Sequence, residues 1–250
     1  MYKYLSIITI VYNDKIGVER TIKSVTKQTF QGIEYIVIDG GSKDGTKEKI
    51  EKYNDCITYW VSERDKGISD AFNKGIKKAT GEWIMFLNAG DVLFSDKIIQ
   101  EIFEQKILDR NKSFIYFGKI KVINNISKSY IYGQVFNKKI FLKRMTICHQ
   151  STFFNKEFFK QYGLYNTEFK IAMDYELLLR PKKHNYIFID KIISIMKSDG
   201  ISQTNIKNVY LEYAKAKRLQ TKKSIFLIYF EFLYFYVIYL LMKIFKKWKL

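Results

Sequence analysis

The sequence predicts an α/β fold: a mixed, mostly parallel sheet flanked by helices, with a helical extension at its C-terminal end. Three observations predict it. Leu5-Ser6-Ile7-Ile8-Thr9-Ile10-Val11 and Tyr35-Ile36-Val37-Ile38 are apolar runs, the pattern of parallel strands buried on both faces. Strand-like and helix-like stretches alternate from Leu5 to Asp91, as βαβ units require. The strand runs stop at polar or acidic residues: Tyr12-Asn13-Asp14, Asp39, Glu63 with Asp65, and Asp91. Ligands of open α/β sheets collect beyond the carboxyl ends of the strands, so one edge of the sheet is the expected active site.

The first strand is Leu5 to Val11. Val18, Ile22 and Val25 then recur at helical spacing within Val18 to Gln28. The second strand, Tyr35 to Ile38, breaks at Asp39-Gly40-Gly41-Ser42, where the glycines supply a tight turn. Either Asp44 or Thr46 caps the lysine-rich helix of Thr46 to Tyr53. Ile57 to Val61 is a third strand, Ile68 to Ala79 a helix ended by Gly81, and Trp83 to Leu87 a fourth strand. The middle region is less regular. Phe114 to Ile123 reads as strands, Ile126 to Phe141 as strand and turn, and Asp174 to Arg180 as a short helix. A polar helix is expected over Asn205 to Thr221. Ser224 to Phe245 is almost wholly apolar or aromatic, interrupted by Glu231. No internal repeat or low-complexity linker is evident.

A chain of 250 residues can bury a good core, and 17% aromatic residues with a single proline argue against disorder. Cys56 and Cys148 form no CxxC or CxxH arrangement, which leaves a zinc site unsupported. They are expected as small buried hydrophobes in a reduced, cytosolic setting. Met1-Tyr2-Lys3-Tyr4 leads straight into the first strand, so no secretory signal is expected. The net charge of +18 invites a nucleic-acid or an anionic-membrane reading. Much of the charge clusters after residue 205 beside the apolar stretch, which favours the membrane.

Six segments carry chemistry in order. They are Ser6-Ile7-Ile8-Thr9-Ile10-Val11-Tyr12-Asn13; Val37-Ile38-Asp39-Gly40-Gly41-Ser42-Lys43-Asp44-Gly45-Thr46; and Ser62-Glu63-Arg64-Asp65-Lys66-Gly67, continuing through Asp70 and Asn73 to Gly75. Then come Ala79 to Asp91, ending Asn88-Ala89-Gly90-Asp91; Cys148-His149-Gln150-Ser151; and Ala172-Met173-Asp174-Tyr175-Glu176-Leu177. Together they resemble the family 2 glycosyltransferases, in the branch that builds bacterial cell-surface polysaccharides. The resemblance covers roughly residues 5 to 202. It implies a GT-A type fold and transfer of a sugar from a nucleotide-sugar, by family habit a UDP-sugar, to a lipid-linked or oligosaccharide acceptor. A single displacement would invert the anomeric centre. On this reading residues 1–124 bind the donor, 125–204 bind the acceptor and hold the catalytic group, and 205–250 form a basic, apolar helical tail.

The resemblance also implies residue roles. Tyr12 stacks on the base, with Thr9 and Asn13 shaping its pocket, and Asp39 binds the uracil or ribose edge. Asp65, Lys66 and Gly67 line the donor cleft. Asp70 and Asn73, on one helix face, hold either ligand or the neighbouring loop. Family members usually end the fourth strand with an Asp-x-Asp element that holds Mg²⁺ or Mn²⁺ on the diphosphate. Here Asn88 and Asp91 stand in that place, so Asp91 is the expected metal ligand, Asn88 a donor-site contact, and His149 a further ligand or phosphate contact. Asp174 is the candidate base and Glu176 its reserve, Met173 replacing the usual preceding acid. The plainer reading makes both acids favourable charges at a helix N-terminus. Ser198-Asp199-Gly200-Ile201-Ser202 resembles a loop that closes over the donor.

Three readings compete for Ile225 to Met242: a helix on the inner membrane surface, a true span, or an apolar contact in a homodimer. Glu231 and the tyrosines argue against a deep lipid location. Lys222, Lys223, Lys243, Lys246, Lys247 and Lys249 flank the stretch and suit anionic lipid. The expected location is therefore cytoplasmic, peripheral on the inner face of the cell membrane. A non-catalytic nucleotide-sugar binder is the alternative. Nucleic acid is not an expected partner, because acids rather than lysines line the inferred strand ends.

Overall fold

The computed structural model describes residues 4–124, 129–198, 200 and 205–247. Strand β1 (Leu5–Val11) leads to helix α1 (Lys15–Thr26), then β2 (Ile33–Asp39), α2 (Thr46–Glu51), β3 (Tyr59–Ser62) and α3 (Ile68–Lys78). After β4 (Trp83–Phe86) come β5 (Val92–Leu93), α4 (Ile98–Glu104), β6 (Ile115–Ile123), β7 (Ser129–Tyr132) and α5 (Lys138–Phe141). The remainder is β8 (Thr152–Asn155), α6 (Lys156–Tyr162), α7 (Met173–Leu179), β9 (Tyr186–Lys197), α8 (Ile206–Gln220) and α9 (Ile225–Lys247).

One mixed sheet runs in the order β3-β2-β1-β4-β8-β6-β9-β5, with β7 paired to β6. The first four are parallel, in a register that aligns Val11 with Asp39 and Asp39 with Ser62. β8 joins β4 antiparallel, while β6 and β9 pair in parallel. The sheet therefore crosses the boundary drawn at residue 124, so the two regions share one scaffold. Successive residues of β1 enter opposite cores. Ile8 packs with Ile36, Phe72 and Phe86, and Ile7 with Val18, Val37 and Met85. That two-sided burial is why the strand reads as a buried run with no polar–apolar alternation, its Ser6 and Thr9 buried as well. At Gly75 an added Cβ would sit 2.4 Å from Ile8 Cγ2, so glycine lets α3 lie close on the sheet.

Chain order reverses beside β1: β2 and β3 lie on one side, β4 on the other. At this switch point, where open α/β sheets bind ligands, Tyr12-Asn13 follow β1 and Asn88–Asp91 follow β4.

The tail packs as a helix pair. Lys217 of α8 is buried, and its ammonium donates to the Lys143 carbonyl (2.7 Å) and to Glu231 of α9 (2.9 Å). Lys223 donates to the other Glu231 oxygen at 2.7 Å. Burial works to raise the Glu231 pKa, but the two lysines prevail and hold it below its ordinary value. The carboxylate that interrupts the apolar stretch thus faces protein. Among the described residues no helix is long and apolar enough to cross a membrane.

One smaller expectation needs correction and another is untested. Cys56 is exposed rather than a core residue, lying in a one-turn segment before β3. The loop expected to close over the donor lies largely outside the described residues.

Candidate functional site

The first half of the site is built by the turns after β1, β2 and β3. Asp39 is fully buried, and its carboxylate accepts from the Ser42 backbone N–H (3.1 Å), the Ser42 hydroxyl and the Ser62 hydroxyl (2.5 Å). Asn13, in the left-handed region at φ 50°, accepts from the Lys43 N–H through Oδ1 at 2.9 Å and donates its own N–H to Ser42 Oγ at 2.7 Å. Asp44 accepts from the Lys15 N–H and the Thr46 N–H, both at 3.1 Å. These bonds lock the two turns together. Tyr12 stands 67% exposed above them. A Cβ on Gly40 would lie 2.9 Å from Asp65 Oδ2 and 3.3 Å from Tyr12 Cδ2, so Tyr12, Gly40 and Asp65 converge on one spot. Burial raises the Asp65 pKa, opposed by Lys74, whose ammonium donates to it at 2.6 Å.

Several sequence-expected residues are occupied elsewhere. Thr9 is buried within β1, its hydroxyl 3.1 Å from the Tyr35 hydroxyl, and offers no surface to a ligand. Asn73 spends both ends of its amide on the backbone of Tyr165, each at 2.9 Å, so it holds the neighbouring loop. Asp70 accepts from the Lys66 N–H at 3.0 Å, bracing the entry of α3 at Gly67; the Lys66 side chain is exposed. Asp39 acts on the loop it pins rather than on open space.

The second half lies after β4. Thr21 of α1 fastens the turn: its hydroxyl accepts from the Gly90 N–H at 3.0 Å and lies 2.7 Å from the Asp91 carbonyl. Asp91 is 7% exposed. The Asn88 amide nitrogen meets His149 Nε2 at 3.1 Å, and His149 Nδ1 faces Asp174 Oδ2 at 3.6 Å. With the amide donating to Nε2, the ring proton falls on Nδ1, towards the carboxylate. Asn88 Oδ1 is buried with no hydrogen-bond partner. Nε2 of His149 is thereby hydrogen-bonded, while Nδ1 and Asp174 Oδ2 stand just beyond hydrogen-bond distance.

Asp174 opens α7, and three N–H groups at that end are held from another helix. Glu212 of α8 accepts from the backbones of Lys170 (3.0 Å), Ile171 (2.9 Å) and Ala172 (2.7 Å). Tyr213 of α8 packs on Tyr175 with ring centroids 4.5 Å apart. Glu176, the reserve base, is 1% exposed and bound to Arg180 Nε (3.0 Å), Arg180 Nη2 (2.5 Å) and Gln220 (2.7 Å). It is a structural anion and leaves Asp174 as the carboxylate in the cleft. Asp174 and Asp91 both act on Cys148: burial first, then their negative charges, push its thiol up to about 12.

The rim is continuous. It passes from the Asp39 loop through Asn13 and Asp14 to Gly90, whose added Cβ would be 3.8 Å from Asp14 Oδ2, and on through Asn88 and His149 to Asp174. Beyond Asp174 a cleft of about 290 Å³ opens between β6, β7 and α8. Glu212, Arg180 and the α8 wall have no sequence signature; their roles exist only once helices distant in sequence are packed.

The family model described as Glycosyl transferase family 2 matches residues 6–163. An uncharacterized glycosyltransferase of Mycobacterium tuberculosis is 34% identical over 180 residues, covering 70% of this chain and 68% of the relative. A PGL/p-HBAD biosynthesis glycosyltransferase of the same species is 26% identical over 162 residues, 64% of this chain and 62% of that one. Among solved structures, residues 1–349 of Staphylococcus aureus TarS with UDP-GlcNAc superpose with a TM-score of 0.67 at 17% identity, covering 90% of this chain and 69% of that one. A Pyrobaculum calidifontis mannosyltransferase in complex with GDP-Man and Mn²⁺ gives 0.66 at 13%, covering 90% and 66%. At such identities these two likenesses speak for the GT-A type fold.

Proposed function

This chain belongs to glycosyl transferase family 2 and is a glycosyltransferase, and from that premise we propose that it moves a sugar from a UDP-sugar to an acceptor hydroxyl with inversion. Tyr12 stacks on the base, while Asp65 and the loop fixed by Asp39 and Asn13 hold its edge and the ribose. The TarS structure with UDP-GlcNAc and the meeting of Tyr12 with Asp65 over Gly40 support this donor assignment.

A divalent cation, Mn²⁺ or Mg²⁺, is proposed on the donor diphosphate. Among the described residues no group of three His, Cys, Asp or Glu could hold a metal. The unpartnered Asn88 Oδ1 and the Asp91 carboxylate are nonetheless hard oxygen donors beside the switch point, and they fit an ion that takes its remaining oxygens from the diphosphate and water. Bound there, the ion would stabilise negative charge on the departing nucleoside diphosphate.

Asp174 receives the acceptor's proton as the oxygen bonds to the anomeric carbon and the bond to the diphosphate oxygen breaks. His149 orients that carboxylate through Nδ1 and anchors to the donor side through Asn88. The observation that carries this reading is the line Asn88–His149–Asp174, which joins the β4 turn to the one carboxylate in the cleft lining among the described residues. The test is incubation with UDP-sugars and acceptors, with the product's anomeric configuration read by NMR. An inverted linkage is expected; retention would contradict a single displacement.

The exposed side of α9 supports a place on a membrane surface. Phe226, Phe230, Leu233, Val237 and Leu240 repeat along one stripe and are all exposed. With the flanking lysines they suit the anionic inner face of the cell membrane. A homodimer contact is the competing occupant.

A further inference from the structure

Resting on the assignment of Asp174 as base, we propose that the cleft beside it takes an acceptor whose hydroxyl is carried next to an apolar group, an alkyl or aryl glycoside rather than a bare oligosaccharide. The cleft's chemistry points there. Its walls are Ile120 and Val122 of β6, Tyr130 and Tyr132 of β7, and Val209 and Tyr213 of α8, with Met145 and Met196 closing it. Asp174 and His149 lie at one end.

Among the described residues Asp174 is the single carboxylate in the lining, which holds no lysine or arginine, although the charge of Arg144 acts on Tyr132 of its wall. Sugar hydroxyls buried along these walls would lose water and, beyond the tyrosine hydroxyls, find few side-chain partners, because Thr146 and Gln150 are themselves mostly buried. The cleft therefore favours an amphipathic molecule: one hydroxyl at Asp174 and an apolar body along the walls. Aromatic rings at the rim suit either a sugar face or an aryl group.

The cleft straddles the end of the family match at residue 163: Ile120, Val122, Tyr130, Tyr132 and Met145 lie within it, and Ile171, Asp174, Met196, Val209 and Tyr213 beyond it.

The test uses the full-length protein with UDP-glucose, UDP-galactose and UDP-GlcNAc. The acceptors are glucose, galactose and N-acetylglucosamine, each as free sugar, octyl glycoside below its micelle concentration, and 4-nitrophenyl glycoside. The expected result is a kcat/KM on the order of tenfold or more higher for the apolar glycosides, the size of effect that burying one apolar group produces. The octyl and nitrophenyl arms distinguish an alkyl from an aryl occupant. Tyr132→Ser and Met196→Gln, each at a partly exposed wall position, should shrink the preference while UDP affinity stays unchanged. Equal use of free sugars overturns the proposal, as does a preference that both variants leave intact. UDP binding with no glycoside used also overturns it, while the donor reading survives; absence of UDP binding removes the donor reading and this inference with it.

Discussion

Asp174 is isolated by its neighbours' commitments. Glu176, two residues on, is neutralised by Arg180 and Gln220 deep in the fold, so only Asp174 combines a cleft position with contact to His149. Asp174→Asn keeps the shape and removes the proposed proton acceptor. Turnover should fall by about 10²–10⁴-fold with UDP affinity unchanged, as read by steady-state kinetics beside a binding titration. Full activity in that variant would transfer the role to another group. The candidate site was legible in sequence where polar residues end a strand or open a helix: Tyr12, Asn13, Asp65, Asn88, Asp91 and Asp174 lie along one rim. Thr9, Glu176 and Asn73, the last already expected to hold either ligand or the neighbouring loop, have partners that the sequence does not show. Each belongs to a motif by position, yet side-chain direction and burial commit it to Tyr35, to the Tyr165 backbone and to Arg180.

The parallel strands and their helices were legible because β1, β2 and β4 are buried on both faces and their runs have no competing period. β5 went unread because it is only two residues long; β8, as long as β4, also went unread. β9 is longer, but its mixed burial gives no clean alternation. Helix α8 shows what periodicity omits: its Glu212 caps the start of α7 from a distance. Glu212→Gln retains one acceptor oxygen and loses the charge. It should lower kcat on the order of 10- to 100-fold, because α7 no longer presents Asp174 in register, while UDP affinity is retained and Glu212→Asp recovers part of the loss. Equal kcat in wild type and Glu212→Gln would limit Glu212 to folding. The α8–α9 contact carries a pH signature. Glu231 has a folded-state pKa below its ordinary value, so its stabilisation is complete above about pH 4.3, the unfolded carboxylate value, and is lost as pH falls through the depressed one. Hydrogen exchange in α9 should therefore quicken under acid in wild type and be fast already at neutral pH in Glu231→Gln. Acid-independent protection would contradict that link.

At the scale of the whole molecule, one sheet carries the donor turns, Asp174 sits at the end of a helix braced by the tail, and the tail's other side is apolar. Vesicles containing anionic phosphatidylglycerol should retain the protein, with binding weakened by salt and by Phe226→Ser with Phe230→Ser. A salt-independent dimer with no vesicle binding would give the apolar stripe to a second copy. The account depends most on the donor site at the switch point beside β1. Isothermal titration of the protein with UDP, GDP and dTDP, with and without Mn²⁺, examines it directly. Saturable binding of UDP, tightened by Mn²⁺, is the expected result. No saturable binding of any of the three nucleotides, with or without the metal, would contradict it.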